Sequence, residues 1–248
     1  MSYSIDLFYK SYAKDFKLLS YSLQSLKKNV TGYDNVVILI PETDAEAFNR
    51  VDLPENTTVV YTKDYGDGYL YQQWRKISAH NICKSDFILF ADSDCIFDHP
   101  INLQEVVKEG KPEILYTDYS KVEAAICWKE PTEKFMREPV EWEFMRRNFL
   151  IYHRSTLENI SLFSPNLEGN IMHSGRFSEF NAIGAFAFKN EKEKYNFINT
   201  DNWEYVPPIG EQLWGWADKK DQSEVHQKEY ARSLETINRV LGLNITEI

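Results

Sequence analysis

The fold is decided by residues 87–97, FILFADSDCIF, in which an apolar run ends at two aspartates, Asp92 and Asp94. The run predicts a buried strand over Asp86–Ala91 with both carboxylates at its carboxyl end. There a parallel strand opens into the crevice where α/β proteins bind ligands. Because a buried carboxylate needs a cation or good hydrogen-bond donors, the pair predicts a divalent cation site that holds phosphate oxygens. A turn in which either aspartate caps the backbone is the simpler alternative.

Three strand–helix units precede this stretch. Short runs rich in Val, Ile and Tyr alternate with segments whose apolar residues recur every three or four positions. This β-α-β-α-β-α-β order predicts an α/β fold with a Rossmann-like, mostly parallel sheet and helices on both faces. The predicted strands are Ser4–Tyr9, Asn35–Ile40 and Thr57–Thr62, and the predicted helices are Lys14–Lys28, Glu42–Arg50 and Leu70–Cys83.

The second half of the chain is less regular and predicts a mixed C-terminal part. No linker, repeat or low-complexity segment interrupts the chain, so we expect a single domain over residues 1–248. Residues 1–100 are expected to bind a nucleotide, and residues 101–248 are expected to bind the second substrate. The predicted elements of the second half are a helix over Thr132–Asn148 that Pro139 kinks or splits, a strand over Phe149–His153 and a helix over Gln222–Leu241.

Composition narrows the possible classes of protein. The 248 residues are 43% hydrophobic and 27% charged, which is ordinary for a globular domain and excludes a disordered or fibrous chain. No apolar run could cross a bilayer and no signal peptide is evident, so we expect a cytoplasmic protein. Three scattered cysteines exclude a disulfide framework. A net charge of −10 argues against a general nucleic-acid binder, whereas an aromatic fraction of 15% suits a sugar-binding cleft.

Two segments give the chain a resemblance to the GT-A-fold glycosyltransferases, which use nucleotide-sugar donors. Residues 88–94, ILFADSD, are similar to the hallmark Asp-x-Asp, and residues 68–76, GYLYQQWRK, resemble an aromatic, glutamine and lysine element on the preceding helix. The resemblance covers residues 4–100 well and the rest loosely, and its family has bacterial and phage members. It implies a GT-A-like fold and a hexosyl- or pentosyltransferase in a bacterium or a phage-infected host. It also implies Mn²⁺ or Mg²⁺ and a nucleoside-diphosphate sugar donor, with UDP as the default nucleotide.

The resemblance implies a role for each matching position. Asp94 would bind the cation that bridges the donor diphosphate, and Asp92 would contact the ribose or the metal. Simpler alternatives remain, because Lys76 also suits a solvated helix face and Tyr9 also suits core packing. The implied donor-binding residues are Tyr9, Lys10 and Ser11 after the first strand, with Gln73 and Lys76 on the helix before the Asp-x-Asp strand.

Glu179 is the candidate catalytic base. It lies in residues 176–184, RFSEFNAIG, where aromatic and small neighbours would raise the pKa of its carboxyl group. The segment also resembles a Ser-Glu-Tyr/Phe stretch of some of these transferases, and an inverting enzyme needs a base for the acceptor hydroxyl. In a retaining enzyme Glu179 would instead contribute to acceptor binding, and a helix-capping or surface role is the simpler alternative.

Histidines and tryptophans of the second half complete the candidate site. The resemblance implies that a histidine is the third metal ligand, and His173 and His226 are equal candidates for it. Trp203 and Trp214 lie in loop-rich sequence and are candidates for an acceptor-binding platform, with core packing as the alternative.

Alternatives remain for the acceptor and for the class of reaction. We expect a saccharide or glycan acceptor, and a hydroxymethylated DNA base is a minority option that rests on Arg137, Arg146 and Arg147 sharing one predicted helix. A haloacid-dehalogenase-like phosphatase also carries Asp-x-Asp after an apolar strand, but there the motif opens the fold. A nucleotidyltransferase needs a glycine-rich loop that residues 10–14, KSYAK, lack. A non-catalytic sugar-binding module is a further alternative, and the sequence determines neither the sugar, the stereochemical outcome nor the oligomeric state.

Overall fold

The computed structural model describes residues 2–202, 208–213 and 224–248 as layers of helices around a central sheet. Its strands are β1 (Ile5–Lys10), β2 (Val30–Thr31), β3 (Asn35–Pro41), β4 (Thr57–Thr62), β5 (Phe87–Phe90), β6 (Cys95–Ile96), β7 (Ile101–Asn102), β8 (Glu113–Asp118), β9 (Trp142–Glu143), β10 (Leu150–His153), β11 (Asn196–Asn199) and β12 (Glu211–Gln212). Its α-helices are α1 (Phe16–Asn29), α2 (Ala45–Phe48), α3 (Gly68–Ile77), α4 (Leu103–Val106), α5 (Lys129–Met136), α6 (Arg154–Phe163), α7 (Leu167–Met172), α8 (Glu179–Asn190) and α9 (Glu224–Leu241). Short 3-10 helices join many of these elements.

Five strands form the central sheet in the order β10-β5-β1-β3-β4. All neighbouring strands pair in parallel except β10, which runs antiparallel along β5. The residues of β1, β3 and β5 are almost all buried, as expected for parallel strands whose sequences are continuous apolar runs. The predicted α/β class with a mostly parallel sheet is therefore confirmed.

Alternate side chains of the central strands enter two cores, because successive residues of a strand point to opposite faces. On one face Leu7, Ile38 and Leu89 pack against apolar residues of α1. On the other face Phe8 and Phe90 pack among residues of α3, α6 and α8. The four parallel strands end at the same edge of the sheet, where the Asp-x-Asp loop emerges.

Smaller strand pairings bring the second half of the chain to this edge. β12 pairs antiparallel with β6, directly after the Asp-x-Asp loop, and places Gln212 opposite Cys95. β11, β8 and β9 form a separate sheet, and β2 pairs with β7. The C-terminal helix α9 packs near α1 through Tyr21, Ile237 and Val240.

The helix predicted over Thr132–Asn148 is wrong in its second half. α5 ends at Met136, and Arg137 takes a left-handed conformation with a φ of 60°. Pro139 follows and cannot continue a helix, since proline lacks the N–H that the ladder needs. The chain instead extends into β9, which pairs with β8.

The option of a DNA acceptor depended on one predicted helix that carries three arginines, and this helix does not form. Arg137 ends α5, Arg146 pairs with Glu143, and the guanidinium of Arg147 is 3.2 Å from Glu113. Glu143 is fully buried and Glu113 is 12% exposed, so these two pairs join the strands β8 and β9 to the chain that follows. The arginines do not share one helix face.

Two further observations concern targeting and redox chemistry. No helix among the described residues has both the length and the apolar character that crossing a bilayer requires. All three cysteines are free thiols, as predicted; Cys83 and Cys95 are buried and Cys127 is half-buried.

Candidate active site

The Asp-x-Asp loop leaves the carboxyl end of β5 and is shaped by hydrogen bonds. The backbone N–H of Cys95 donates to the Asp92 carbonyl over 3.0 Å and closes the turn. The side-chain amide of Gln212 donates to Asp94 Oδ2 over 3.0 Å, because β12 pairs with the strand that follows the loop. The second half of the chain therefore helps to position Asp94.

Asp94 is the least compensated carboxylate of this region. Burial raises the pKa of Asp94 to about 7, and the charge of Asp92 adds to the increase. No lysine or arginine of the described segments lies within ion-pair distance of Asp94. Two carboxylates of this kind supply the hard oxygen ligands that Mn²⁺ and Mg²⁺ prefer. The loop therefore fits a divalent cation held by Asp92 and Asp94.

Helix α3 presents polar side chains to the loop. Asp67 caps the helix by accepting from two backbone N–H groups of its first turn. The amide of Gln72 donates to Asp92 Oδ1 over 3.2 Å. Gln73 Oε1 accepts from the backbone N–H of Glu179 over 3.0 Å. α3 is thus bonded both to the Asp-x-Asp loop and to the start of α8.

Lys76 lies between two carboxylates. Its Nζ is 2.6 Å from Asp92 Oδ1 and 2.8 Å from Glu179 Oε1, and its side chain is 2% exposed. Nζ also lies 4.6 Å from the centroid of the Phe180 ring. Burial alone would lower the pKa of Lys76, but the charges of Asp92 and Glu179 outweigh burial and raise it above its usual value. Lys76 is therefore a buried cation and not part of a solvated helix face.

Glu179 is the first residue of α8. Ser178 caps this helix by accepting from the backbone N–H of Asn181, and a carboxylate in the first turn suits the helix dipole. The side chain of Glu179 is 3% exposed, which excludes the surface alternative. Burial raises the pKa of its carboxyl group, and the charge of Lys76 opposes the increase.

Lys76, Asp92 and Glu179 line a cleft of about 190 Å³. We call Lys76, Asp92 and Glu179 the charged floor of the cleft, and Tyr69 and Trp128 its aromatic wall. Residues from both halves of the chain meet here, and polar and aromatic surfaces face the same space. The cleft is lined by Tyr69, Gln72, Gln73, Lys76, Asp92, Trp128, Met145, Ser178, Glu179 and Phe180.

Tyr9, a predicted donor-binding residue, faces the core. It is fully buried, and its hydroxyl is 3.1 Å from Ser22 Oγ on α1. Residues at odd positions of β1 point toward α1, so the side chain of Tyr9 packs with that helix. The donor-binding role of this side chain is therefore corrected to core packing.

Lys10 and Ser11 are predicted to bind the donor, and both lie at the carboxyl edge of the sheet. Lys10 Nζ is 2.6 Å from Asp64 Oδ2. Ser11 Oγ accepts from the hydroxyl of Ser93, which stands between the two aspartates, over 2.8 Å. Both side chains are buried and bonded within the protein, so their contact with a donor stays a prediction.

The predicted third metal ligand also stays a prediction. His173 is exposed after α7, and its Nδ1 lies 2.8 Å from a backbone carbonyl of that helix. His226 lies in the first turn of α9. Across residues 2–202, 208–213 and 224–248, no three His, Cys, Asp or Glu side chains form a group that could hold a metal. Neither histidine is thus gathered with Asp92 and Asp94.

The aromatic surface of the cleft differs from the predicted platform. Trp203 and Trp214 lie outside the described residues. Tyr69 and Trp128 line the cleft instead, and Gln212 contacts the Asp-x-Asp loop. The helix start at Asp67 could have directed attention to Tyr69, but Trp128 and Gln212 reach the site through tertiary contacts that no local pattern shows.

Comparison with known proteins supports the fold. No protein-family model matches the chain, and no curated protein matches it in sequence. Among solved structures the fold is similar to that of the galactosyltransferase LgtC in complex with donor and acceptor sugar analogues. The TM-score is 0.59 at 11% identity, over 94% of this chain and 95% of that one. The predicted GT-A-like fold class is thereby confirmed.

Proposed function

We propose that this protein is a metal-dependent glycosyltransferase that moves a sugar from a nucleoside-diphosphate sugar to a hydroxyl group of an acceptor. The observation that carries the proposal is the meeting of the Asp-x-Asp loop with Lys76 and Glu179 in one cleft. This cleft lies at the carboxyl edge of a parallel sheet, where such folds bind ligands. The similarity of the fold to a galactosyltransferase also supports it. We take UDP as the first nucleotide to test and a hexose or pentose as the sugar.

Asp92 and Asp94 would hold the cation, Mn²⁺ or Mg²⁺. When bound, the cation would neutralise negative charge that builds on the leaving diphosphate. Among the described residues, Asp92 and Glu179 share the ammonium of Lys76, and Asp94 has no lysine or arginine within ion-pair distance. Two negative charges are left over when all three carboxylates are ionised, and a divalent cation balances them.

Glu179 would act on the acceptor. Lys76 holds its Oε1 and Gln73 holds its backbone N–H, so the carboxylate has a fixed position. In an inverting enzyme, Glu179 would accept the proton of the acceptor hydroxyl as that oxygen attacks the sugar. In a retaining enzyme, it would bind the acceptor. Lys76 supports either role, because it orients Glu179 and Asp92 at the same time.

A saccharide is the acceptor that we propose, in preference to DNA. Arg146 and Arg147 are paired with glutamates, and the chain carries a net charge of −10, which opposes binding to a phosphate backbone. The cleft offers carboxylates that accept from hydroxyl groups and aromatic rings that contact a sugar face.

Residues 1–100 and 101–248 would act together as one cytoplasmic domain. Lys76 and Asp92 come from the first part, Trp128 and Glu179 come from the second, and all four line the same cleft. Donor binding by the first part and acceptor binding by the second would place the reacting groups between them. The free thiols support a reducing compartment such as the cytoplasm.

Thermal unfolding in the presence of nucleotides tests this function. UDP, GDP, CMP, TDP and ADP would each be added with and without Mn²⁺, since a ligand that binds the folded state raises the melting temperature. We expect one nucleotide to raise it only when Mn²⁺ is present. The matching nucleotide sugar should then release free nucleotide when methyl glycosides are added. Absence of a shift with every pair contradicts the proposal and directs the next assay to phosphatase substrates.

A further inference from the structure

The aromatic wall is held together by its own polar atoms. The indole N–H of Trp128 donates to the hydroxyl of Tyr69 over 3.0 Å. That hydroxyl in turn donates to the backbone carbonyl of Phe177. Tyr69 belongs to the first turn of α3, and Trp128 ends the 3-10 helix Glu123–Trp128. The wall therefore joins the two halves of the chain, and its polar atoms are used within the protein.

A ligand that contacts the wall would meet ring atoms, because the polar atoms of Tyr69 and Trp128 are already bonded within the protein. Tyr69 is 43% exposed and Trp128 is half-buried. Burial raises the pKa of Tyr69 to about 12, so its phenol stays neutral and is not a base at ordinary pH. Neutral rings whose polar atoms are already bonded recognise a ligand by stacking.

The space between the wall and the floor suits one sugar ring. Its volume of about 190 Å³ is below the roughly 300–1,000 Å³ of pockets for drug-sized ligands. Lys76 contacts Oε1 of Glu179, so the second oxygen of this carboxylate can accept from a ligand hydroxyl. A pyranose has hydroxyls around its edge and C–H groups on its face, and thus matches both surfaces.

The wall lies on the solvent side of the cleft. The floor residues Lys76, Glu179 and Asp92 are 2%, 3% and 29% exposed, whereas Tyr69 in the wall is 43% exposed. A donor anchored through its diphosphate at the Asp-x-Asp loop would occupy the inner side. A second substrate would then approach past the aromatic wall.

We propose that Tyr69 and Trp128 form the acceptor subsite, and that the acceptor ends in a pyranose whose apolar face stacks on Trp128. The inference rests on the proposed glycosyltransferase function and adds the residues that bind the acceptor and the ring form that they select. It also moves the acceptor platform from Trp203 and Trp214 to residues that line the cleft.

Saturation-transfer NMR with methyl pyranosides tests the subsite. Methyl glucoside, galactoside and N-acetylglucosaminide would be added to the protein together with Mn²⁺ and the nucleotide found by thermal unfolding. We expect transfer to the ring C–H protons of at least one pyranoside in the wild type. In Trp128→Ala its dissociation constant should rise about tenfold, because the stacking surface is lost. Trp128→Phe keeps a ring and should retain most of the binding.

Tyr61→Ala is the matched control, because Tyr61 is 40% exposed on β4 and does not line the cleft. Its pyranoside binding should equal that of the wild type. An unchanged nucleotide-dependent shift in Trp128→Ala would show that this variant folds and keeps its donor site. Wild-type protein that binds nucleotide but none of the pyranosides, or equal pyranoside binding in Trp128→Ala, overturns the subsite and leaves the proposed function intact. Absence of nucleotide binding contradicts the proposed function and the acceptor subsite together.

Discussion

A carboxylate lies at each end of the central sheet, buried at one end and half-buried at the other, and the surroundings of the two differ. At the amino end, Asp6 is 3% exposed and accepts from the backbone N–H groups of Lys84 and Ser85 and from the Ser85 hydroxyl, over 2.7 to 3.2 Å. At the carboxyl end, Asp94 lies near Asp92, and no cation of the described chain is within ion-pair distance. The same residue type is thus satisfied by neutral donors at one end and left with excess charge at the other.

The difference separates a structural carboxylate from a candidate functional one. Donors around Asp6 compensate its burial, so this residue holds β1 to the chain before β5. Excess charge at the carboxyl end opposes folding, and a site that binds a cation needs such charge. Changes at the amino end should therefore alter stability alone, and changes at the carboxyl end should alter ligand binding.

Removing the ammonium from the carboxyl end should have the largest effect. Lys76→Met would leave Glu179, whose side chain is 3% exposed, as a buried charge without its partner, so we expect the free energy of unfolding to fall by about 3–5 kcal/mol. Denaturant unfolding measures this change. Lys10→Met is the matched control, because the side chain of its partner Asp64 is 26% exposed and water can replace the contact. An equal loss in both variants would contradict the special position of Lys76.

Asp94→Asn should separate stability from activity. We expect sugar transfer to fall at least about 100-fold, or about 2.7 kcal/mol, because one ligand of the proposed cation site is lost. The metal-free variant should melt at a higher temperature than the wild type, since a charge that repels Asp92 is removed. Nucleotide release and thermal unfolding report the two effects, with Asp86→Asn, exposed at the amino end of β5, as the control. If Asp94→Asn melts at a lower temperature than the wild type and still binds nucleotide with Mn²⁺, then Asp94 is a structural carboxylate like Asp6.

Asp6→Asn tests the amino end of the sheet. The new amide group would face N–H and O–H donors, so the free energy of unfolding should fall by about 1–3 kcal/mol. Sugar transfer per folded molecule should not change. Asp52→Asn serves as the control, because that side chain is 81% exposed and should leave stability unaltered. If folded Asp6→Asn protein transfers sugar more slowly than the wild type, Asp6 affects activity and is not a purely structural carboxylate.

Gln212→Ala should have the smallest effect. Loss of the hydrogen bond to Asp94 frees that carboxylate to move, so Mn²⁺ affinity in the presence of nucleotide should fall about tenfold. Titration of the melting temperature with Mn²⁺ measures the affinity. Thr236→Val removes a contact with the neighbouring residue Glu211 and should leave Mn²⁺ affinity unchanged. Equal affinities in wild type and Gln212→Ala would mean that Asp94 is positioned by the loop alone.

Much of the sheet could be predicted from the sequence because its strands are locally encoded. The strand predicted over Asp86–Ala91 forms at Phe87–Phe90, and Thr57–Thr62 forms as predicted. The helix predicted over Thr132–Asn148, kinked or split at Pro139, forms only up to Met136, where the left-handed Arg137 ends α5. Pro139 marked a break in the sequence, but the left-handed conformation of Arg137 has no signal there, so the extended chain that follows could not be predicted.

The candidate site could be predicted only in part. The charged residues Lys76, Asp92 and Glu179 stood in recognisable segments, but their contact through one ammonium depends on how α3 and α8 pack. The residues around Tyr9 in the sequence do not show whether its side chain faces a ligand or the core. Its position in β1, on the same face as Ile5 and Leu7, turns it toward the core. Trp128 lies 59 residues from the Tyr69 that it contacts, and such a distance leaves no local pattern.

The thiol of Cys127 makes the position next to Trp128 in the chain open to chemical labelling. Burial raises the pKa values of Cys83 and Cys95, which keeps both thiols protonated and slow to react. Cys127 alone is partly exposed, and it adjoins Trp128 in the chain. A maleimide dye would therefore attach to the native protein at this one position, without any engineered cysteine. If the acceptor stacks on Trp128 as proposed, its binding should change the emission of this dye.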